Sequence, residues 1–238
     1  NTLIKSEVKE LALKLYSKYM ANNRGLFLDK TPRYYHITDQ LLELFPDSKY
    51  IYLTRNPLSV FSSILAYNFK GDIGQMLSQQ DRLYDLFLGP LKISRAKNID
   101  IKSRVFLSYE DIVLDPQKEL QKTINGLQLS GFSENLGTYA VSDKFRNSEG
   151  IDGKSLVLHD KVVDNYLDSW SNVLNTRRKR VAAFDYLNLL GAKIVDGLGY
   201  EFDQLKDQLN VKSHFFISPC GRQMRHFLQE KNIFGASE

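Results

Sequence analysis

Three short stretches of this chain each set a cation or an aromatic one polar residue after an apolar run, where a strand would hand over to a loop or helix. Leu53-Thr54-Arg55-Asn56-Pro57 is the most informative. Asn56 is a favoured N-cap and Pro57 a favoured first helical residue, so a helix should open just after Arg55 and run to about Tyr67. The free N–H groups at its start then face whatever Arg55 faces, which suits an anion. A guanidinium holds phosphate through two parallel hydrogen bonds. Ser63 follows Arg55 by eight residues, about two turns into that helix, and adds a hydroxyl. The competing reading pairs Arg55 with a helix-capping carboxylate and packs Ser63 against backbone. In Asp29-Lys30-Thr31-Pro32, Lys30 at a strand end is a point charge suited to an anion whose charge shifts during reaction; an ordinary surface lysine is the alternative. Tyr109, closing Val105–Tyr109, can stack on a base and donate its hydroxyl, or be a half-buried core tyrosine. Glu110 and Asp111 are placed to cap the segment that follows.

The elements that must position these residues can be read from period and punctuation. Lys5 to Met20 repeats apolar residues at helical spacing, with Val8, Leu11, Leu15 and Tyr19 on one face. Leu26-Phe27-Leu28 reads as a short buried strand, and Tyr34 to Phe45 as a helix ended by Pro46-Asp47. Tyr50 to Leu53 is rich in β formers. After the helix from Pro57, residues 68–77 read as loop and 78–97 as helix, with a possible interruption at Gly89-Pro90. Val105 to Tyr109 is a third strand, and Asp115-Pro116 opens a helix to about Leu127. Residues 131–158 lack period and are rich in Ser, Asn and Gly, as in a long loop. Helices are expected over Val162–Leu174, around Trp170, and over Arg178–Leu198, closed by Gly199. Residues 201–238 form a C-terminal extension that the pattern does not place. Strands alternating with helices predict an α/β fold with a central parallel sheet flanked by helices, in a single domain over 1–238. Ligands of such sheets bind beyond the carboxyl ends of the strands, where Lys30, Arg55 and Tyr109 all fall.

Composition bounds the reading. With 238 residues, 42% hydrophobic and 25% charged, the chain is ordinary globular material that needs no metal or disulfide for stability. The net charge of +4 is mild. The dense run Arg177-Arg178-Lys179-Arg180 reads as a solvated helix face before a nucleic-acid patch. The lone Cys220 excludes an intrachain disulfide and, with no Asn-x-Ser/Thr acceptor present, leans toward a reducing, cytoplasmic compartment. No apolar run is long enough to span a membrane. The chain begins at Asn1 rather than Met, so its natural start is expected to lie further upstream.

In order and spacing, Leu28 to Pro32, Leu44 to Pro57, Ser63 and Tyr109 to Pro116 resemble the PAPS-dependent sulfotransferases, above all the branch of bacterial and tyrosylprotein sulfotransferases. The resemblance covers about residues 26 to 200, with Trp170 and Leu198-Gly199-Tyr200 as weaker markers. It implies a fold related to the P-loop nucleotide-binding proteins and transfer of a sulfonate from PAPS to a hydroxyl of a glycan, lipid, peptide or small metabolite, with no metal. By position it implies that Arg55 and Ser63 hold the donor's 3′-phosphate, Tyr109 lies beside the adenine, Lys30 lies near the sulfonate, and Lys161 approaches the nucleotide late in the chain. Two departures stand out. The family's Gly/Arg/Ser/Thr-rich phosphosulfate loop is absent from these residues, which a truncated or missing segment before Asn1 explains; genuine loss, leaving a protein that cannot hold the donor properly, is the alternative. Pro32 stands where some members have a catalytic histidine, so a glutamate upstream of Asn1 is the expected base, with His36 as a substitute. Two other classes stay open: a non-catalytic relative that binds a nucleotide or partner, and a P-loop kinase, whose Gly-x-x-x-x-Gly-Lys-Ser/Thr loop does not occur here.

Overall fold

The computed structural model describes residues 2–19, 26–99, 103–130, 167–211 and 217–235. Strand β1 (Tyr50–Thr54) lies parallel to β2 (Arg104–Ser108), with Tyr50 opposite Arg104 and Thr54 opposite Ser108. Parallel neighbours need a long crossover. It is supplied by α3 (Pro57–Phe69), α4 (Ile73–Ser78) and α5 (Gln80–Ala96). Before β1 come α1 (Thr2–Tyr19), a 3₁₀ turn (Tyr34–His36) and α2 (Thr38–Leu44). After β2 come α6 (Tyr109–Leu114) and α7 (Pro116–Gly126). The later described helices are α8 (Ser169–Val173), α9 (Arg177–Leu190), α10 (Ala192–Leu198), α11 (Phe202–Gln208) and α12 (Pro219–Glu230). The architecture is therefore α/β, mostly helical around a small parallel sheet.

The main core lies among the helices. Phe61 of α3, Phe87 of α5 and Tyr186 of α9 are fully buried, and the Tyr186 ring meets the other two at 5.3 and 5.4 Å between centroids. Trp170 is buried in the same cluster, as expected of a core residue. The sheet has its own small cluster of Val105, Leu107 and Leu127. Arg104 ties β2 to the end of α5 by donating to the carbonyls of Ala96 and Lys97 at 2.7 and 3.0 Å.

Several expectations are corrected. Leu26–Leu28 forms no strand: Leu26 and Leu28 are exposed, and Phe27 stacks on Tyr16 of α1 instead of joining the sheet. The apolar positions Val8, Leu11 and Leu15 of α1 are exposed. The presumed loop at 68–77 is the end of α3, a left-handed Lys70, and α4, capped by Asp72 accepting from the Gln75 N–H. Helix α5 runs unbroken through Pro90. The long helix expected over Arg178–Leu198 is two, because Gly191 adopts φ 84° and ψ 154°, a conformation that breaks a helix and that other residues rarely adopt. The extension beyond 201 carries two helices. Residues 131–158 lie outside the described residues.

Candidate active site

The sheet register sets the geometry. Because Thr54 is paired with Ser108, the next residue of each strand, Arg55 and Tyr109, leaves the sheet beside the other. The guanidinium carbon of Arg55 lies 4.3 Å from the Tyr109 ring centroid, a cation–π contact. Arg55 is half-buried, and its Nε is buried with no hydrogen-bond partner. Among the described residues no carboxylate pairs with it. Glu110, adjacent to Tyr109, is committed elsewhere. One carboxylate oxygen accepts the Asn56 N–H at 3.0 Å and the other accepts the Tyr200 hydroxyl at 2.6 Å. Burial first, then the bond to Glu110 and its charge, hold Tyr200 protonated far above the ordinary tyrosine range.

Helix α3 starts immediately behind Arg55. Asn56 caps it, accepting from the Leu58 N–H at 2.8 Å, and Pro57 occupies the first turn, both as the sequence predicts. Ser59, one turn in, is buried with a hydroxyl that has no partner. Ser63 sits one further turn along the same row and is exposed. Among the described residues, a guanidinium with no carboxylate partner and a buried hydroxyl with no partner thus both lie at the N-terminal end of α3, the positive end of the helix.

Lys30 rides on a separate loop, exposed, and the loop is tied down on both sides of it. The Asp29 carboxylate accepts the hydroxyls of Tyr16 at 2.8 Å and of Tyr34, and lies 3.4 Å from that of Thr31. Arg33 forks onto Asp85 of α5 at 3.0 and 2.9 Å and reaches Asp81 at 2.9 Å. The Tyr35 hydroxyl also donates to Asp85. Burial, then this bond, pushes the Tyr35 hydroxyl far above its usual range. His36 is exposed, its ring against Tyr35 and Tyr84.

The profile described as "Sulfotransferase family" matches residues 2–134, which include Lys30, Arg55, Ser63 and Tyr109. This chain belongs to the sulfotransferase family. It is similar to "Nodulation protein NoeE" of Sinorhizobium fredii (strain NBRC 101917 / NGR234), 27% identical over 210 residues, which are 78% of this chain and 47% of that protein. The chain therefore spans about half the length of the curated relative it matches. No solved structure matches it significantly.

In this sulfotransferase-family chain, Arg55 and Tyr109 meet directly, and Ser63 lies on the helix that follows Arg55 without hydrogen-bonding to it. Lys161 lies outside the described residues. Glu110 and Asp111 were expected to cap the next segment. The cap of α6 is instead Ser108, which accepts from the Asp111 N–H at 3.0 Å, so Glu110 is left to face Asn56. Sequence reasoning missed Ser59, the Arg33–Asp85 fork and the Glu110–Tyr200 bond. Only Ser59 had a local signal, its place between Arg55 and Ser63 at helical spacing. Among the described residues no group of three or more His, Cys, Asp or Glu side chains is placed to hold a metal ion, and no helix is long and apolar enough to cross a membrane.

Proposed function

We propose that this chain serves a sulfotransferase that uses PAPS as donor and a hydroxyl compound as acceptor. The observation that carries the reading is Arg55: half-buried, stacked on Tyr109 and without a carboxylate, where the strands hand over to the α3 N-terminus. Arg55 and Ser63 bind the 3′-phosphate of the nucleotide, with Ser59 as a further hydroxyl between them. Tyr109 lies beside the adenine, and Lys161 supports the nucleotide from a later segment. When bound, the donor supplies a sulfonate on a phosphate leaving group. Lys30 holds positive charge where the bridging oxygen gathers negative charge. The protein's share of the work is positioning and charge stabilisation, as in phosphoryl transfer.

The test is a calorimetric titration of the full-length protein with 3′,5′-ADP and with 5′-AMP. The bisphosphate should bind at least about tenfold more tightly, and Arg55→Ala should weaken it by about 10- to 100-fold while 5′-AMP changes little, as expected for a charged hydrogen-bond set of about 1.5–3 kcal/mol. Equal, weak binding of the two nucleotides by the unaltered protein removes the donor assignment.

A further inference from the structure

We infer that Glu110 and Tyr200 form a positioning pair that keeps Arg55 available for phosphate, because both oxygens of this neighbouring carboxylate are held by other donors. The inference rests on the reading of Arg55 as the 3′-phosphate ligand and adds a residue from a distant part of the chain to that site.

The argument starts from the placement of a negative charge. Tyr109 and Glu110 are consecutive, and the Tyr109 ring carries the Arg55 guanidinium at 4.3 Å. Glu110 Oε1 accepts from the N–H of Asn56, the peptide joined directly to Arg55. A carboxylate therefore lies against the backbone of a half-buried arginine, yet no ion pair joins them. A guanidinium and a carboxylate that can reach each other commonly pair bidentately. Here both oxygens of Glu110 already have donors. Asn56 occupies Oε1, and the hydroxyl of Tyr200, 90 residues away in sequence, occupies Oε2 at 2.6 Å. Tyr200 is brought there by the turn at Gly199, left-handed at φ 99°, which ends α10 and directs the chain back toward the end of β1. The Thr54 hydroxyl donates to the Leu107 carbonyl at 3.3 Å across the same strand ends. The tyrosine thus acts on Arg55 through Glu110. It is a positioning residue, not a catalytic one.

Removing the Tyr200 hydroxyl frees one oxygen of a charged group beside Arg55. That oxygen then competes with phosphate for the guanidinium. A charge-neutral amide at position 110 keeps an acceptor for Asn56 and offers no charge to Arg55, so it should relieve the competition. This distinguishes a charge-placement role from simple loss of packing, which an amide does not repair.

The experiment measures 3′,5′-ADP and 5′-AMP affinity by calorimetry for the unaltered full-length protein, Tyr200→Phe, and Tyr200→Phe combined with Glu110→Gln, with thermal melts of each. Tyr200→Phe should weaken the bisphosphate about tenfold and leave 5′-AMP within about twofold, and the second substitution should recover most of the loss. The inference is overturned if Tyr200→Phe leaves 3′,5′-ADP binding within twofold, if it weakens both nucleotides alike, or if Glu110→Gln recovers nothing. A bisphosphate preference absent from the unaltered protein instead defeats the donor reading itself, and that outcome is visible before any variant is made.

Discussion

Lys30 and Arg55 are separable by experiment because they are assigned to opposite ends of the donor. Lys30→Ala should lower turnover by about 10²- to 10³-fold, the usual effect of deleting one stabilising donor, with 3′,5′-ADP affinity changed far less because that product lacks the sulfonate. Steady-state kinetics beside a nucleotide titration checks this, and parallel losses in both would place Lys30 at the nucleotide instead. The legibility of the site divides along a physical line. Arg55, Asn56, Pro57 and Tyr109 could be read because their roles depend on neighbours within a few residues: a cap, a helix start, a strand end. Tyr200 on Glu110 and Asp85 under Arg33 could not, since these pairs are 90 and 52 residues apart and their partners carry no local signature. The alternative for Arg55, pairing with a capping carboxylate, was open in sequence. Among the described residues Arg55 has no carboxylate partner: Ser108 takes the α6 cap and Glu110 accepts the Asn56 N–H.

Helix α5 shows at the level of elements how a local rule is overridden. Pro90 has no N–H, so the Leu86 carbonyl one turn earlier loses its helical donor, and the sequence accordingly suggests a break. The helix continues because the hydroxyl of Tyr186, from α9, donates to that carbonyl at 3.2 Å. Tyr186 is fully buried, so water cannot replace it, and burial pushes its hydroxyl far above the ordinary range. Tyr186→Phe should therefore destabilise the fold by about 1–3 kcal/mol, the cost of an unpaired buried acceptor. In a Pro90→Ala background, which restores the missing N–H, the same substitution should cost clearly less. Urea midpoints of the four proteins form the cycle, and additive effects would refute the link. The other misread elements have equally concrete causes. One residue, Gly191, divides what periodicity shows as a single helix. Leu26–Leu28 has β-strand composition, but its one aromatic, Phe27, stacks on Tyr16 of α1. The strands β1 and β2, the α3 start and the α7 start were legible because cap, proline and β-rich run agree there.

At the scale of the whole molecule, seven tyrosines among the described residues share one electrostatic condition: Tyr16, Tyr34, Tyr35, Tyr50, Tyr52, Tyr186 and Tyr200 all have their hydroxyl pKa raised by the fold. Burial is the largest cause in each, and carboxylates add to it where Asp29, Asp85 and Glu110 accept the hydroxyl. Below the ordinary tyrosine value of about 10, folded and unfolded chains are both protonated and these groups contribute no pH dependence. Above about pH 10 the unfolded chain releases tyrosine protons that the folded chain retains. The unfolded state then binds fewer protons, so stability falls as pH rises. The carboxylate-linked hydroxyls tie the Lys30 loop to α1 and α5, and Tyr200 to the sheet end, so the same ionisation undoes the site as well as the core. Urea midpoints should be flat from about pH 8 to 9.5 and fall steeply beyond about pH 10, with the tyrosinate absorbance of these seven residues appearing with unfolding and not ahead of it. Tyr200→Phe should make that fall shallower, since it removes one retained proton. Smooth titration of nearly all tyrosines near pH 10 in a chain that stays folded would show that these hydroxyls are not held by the structure as described.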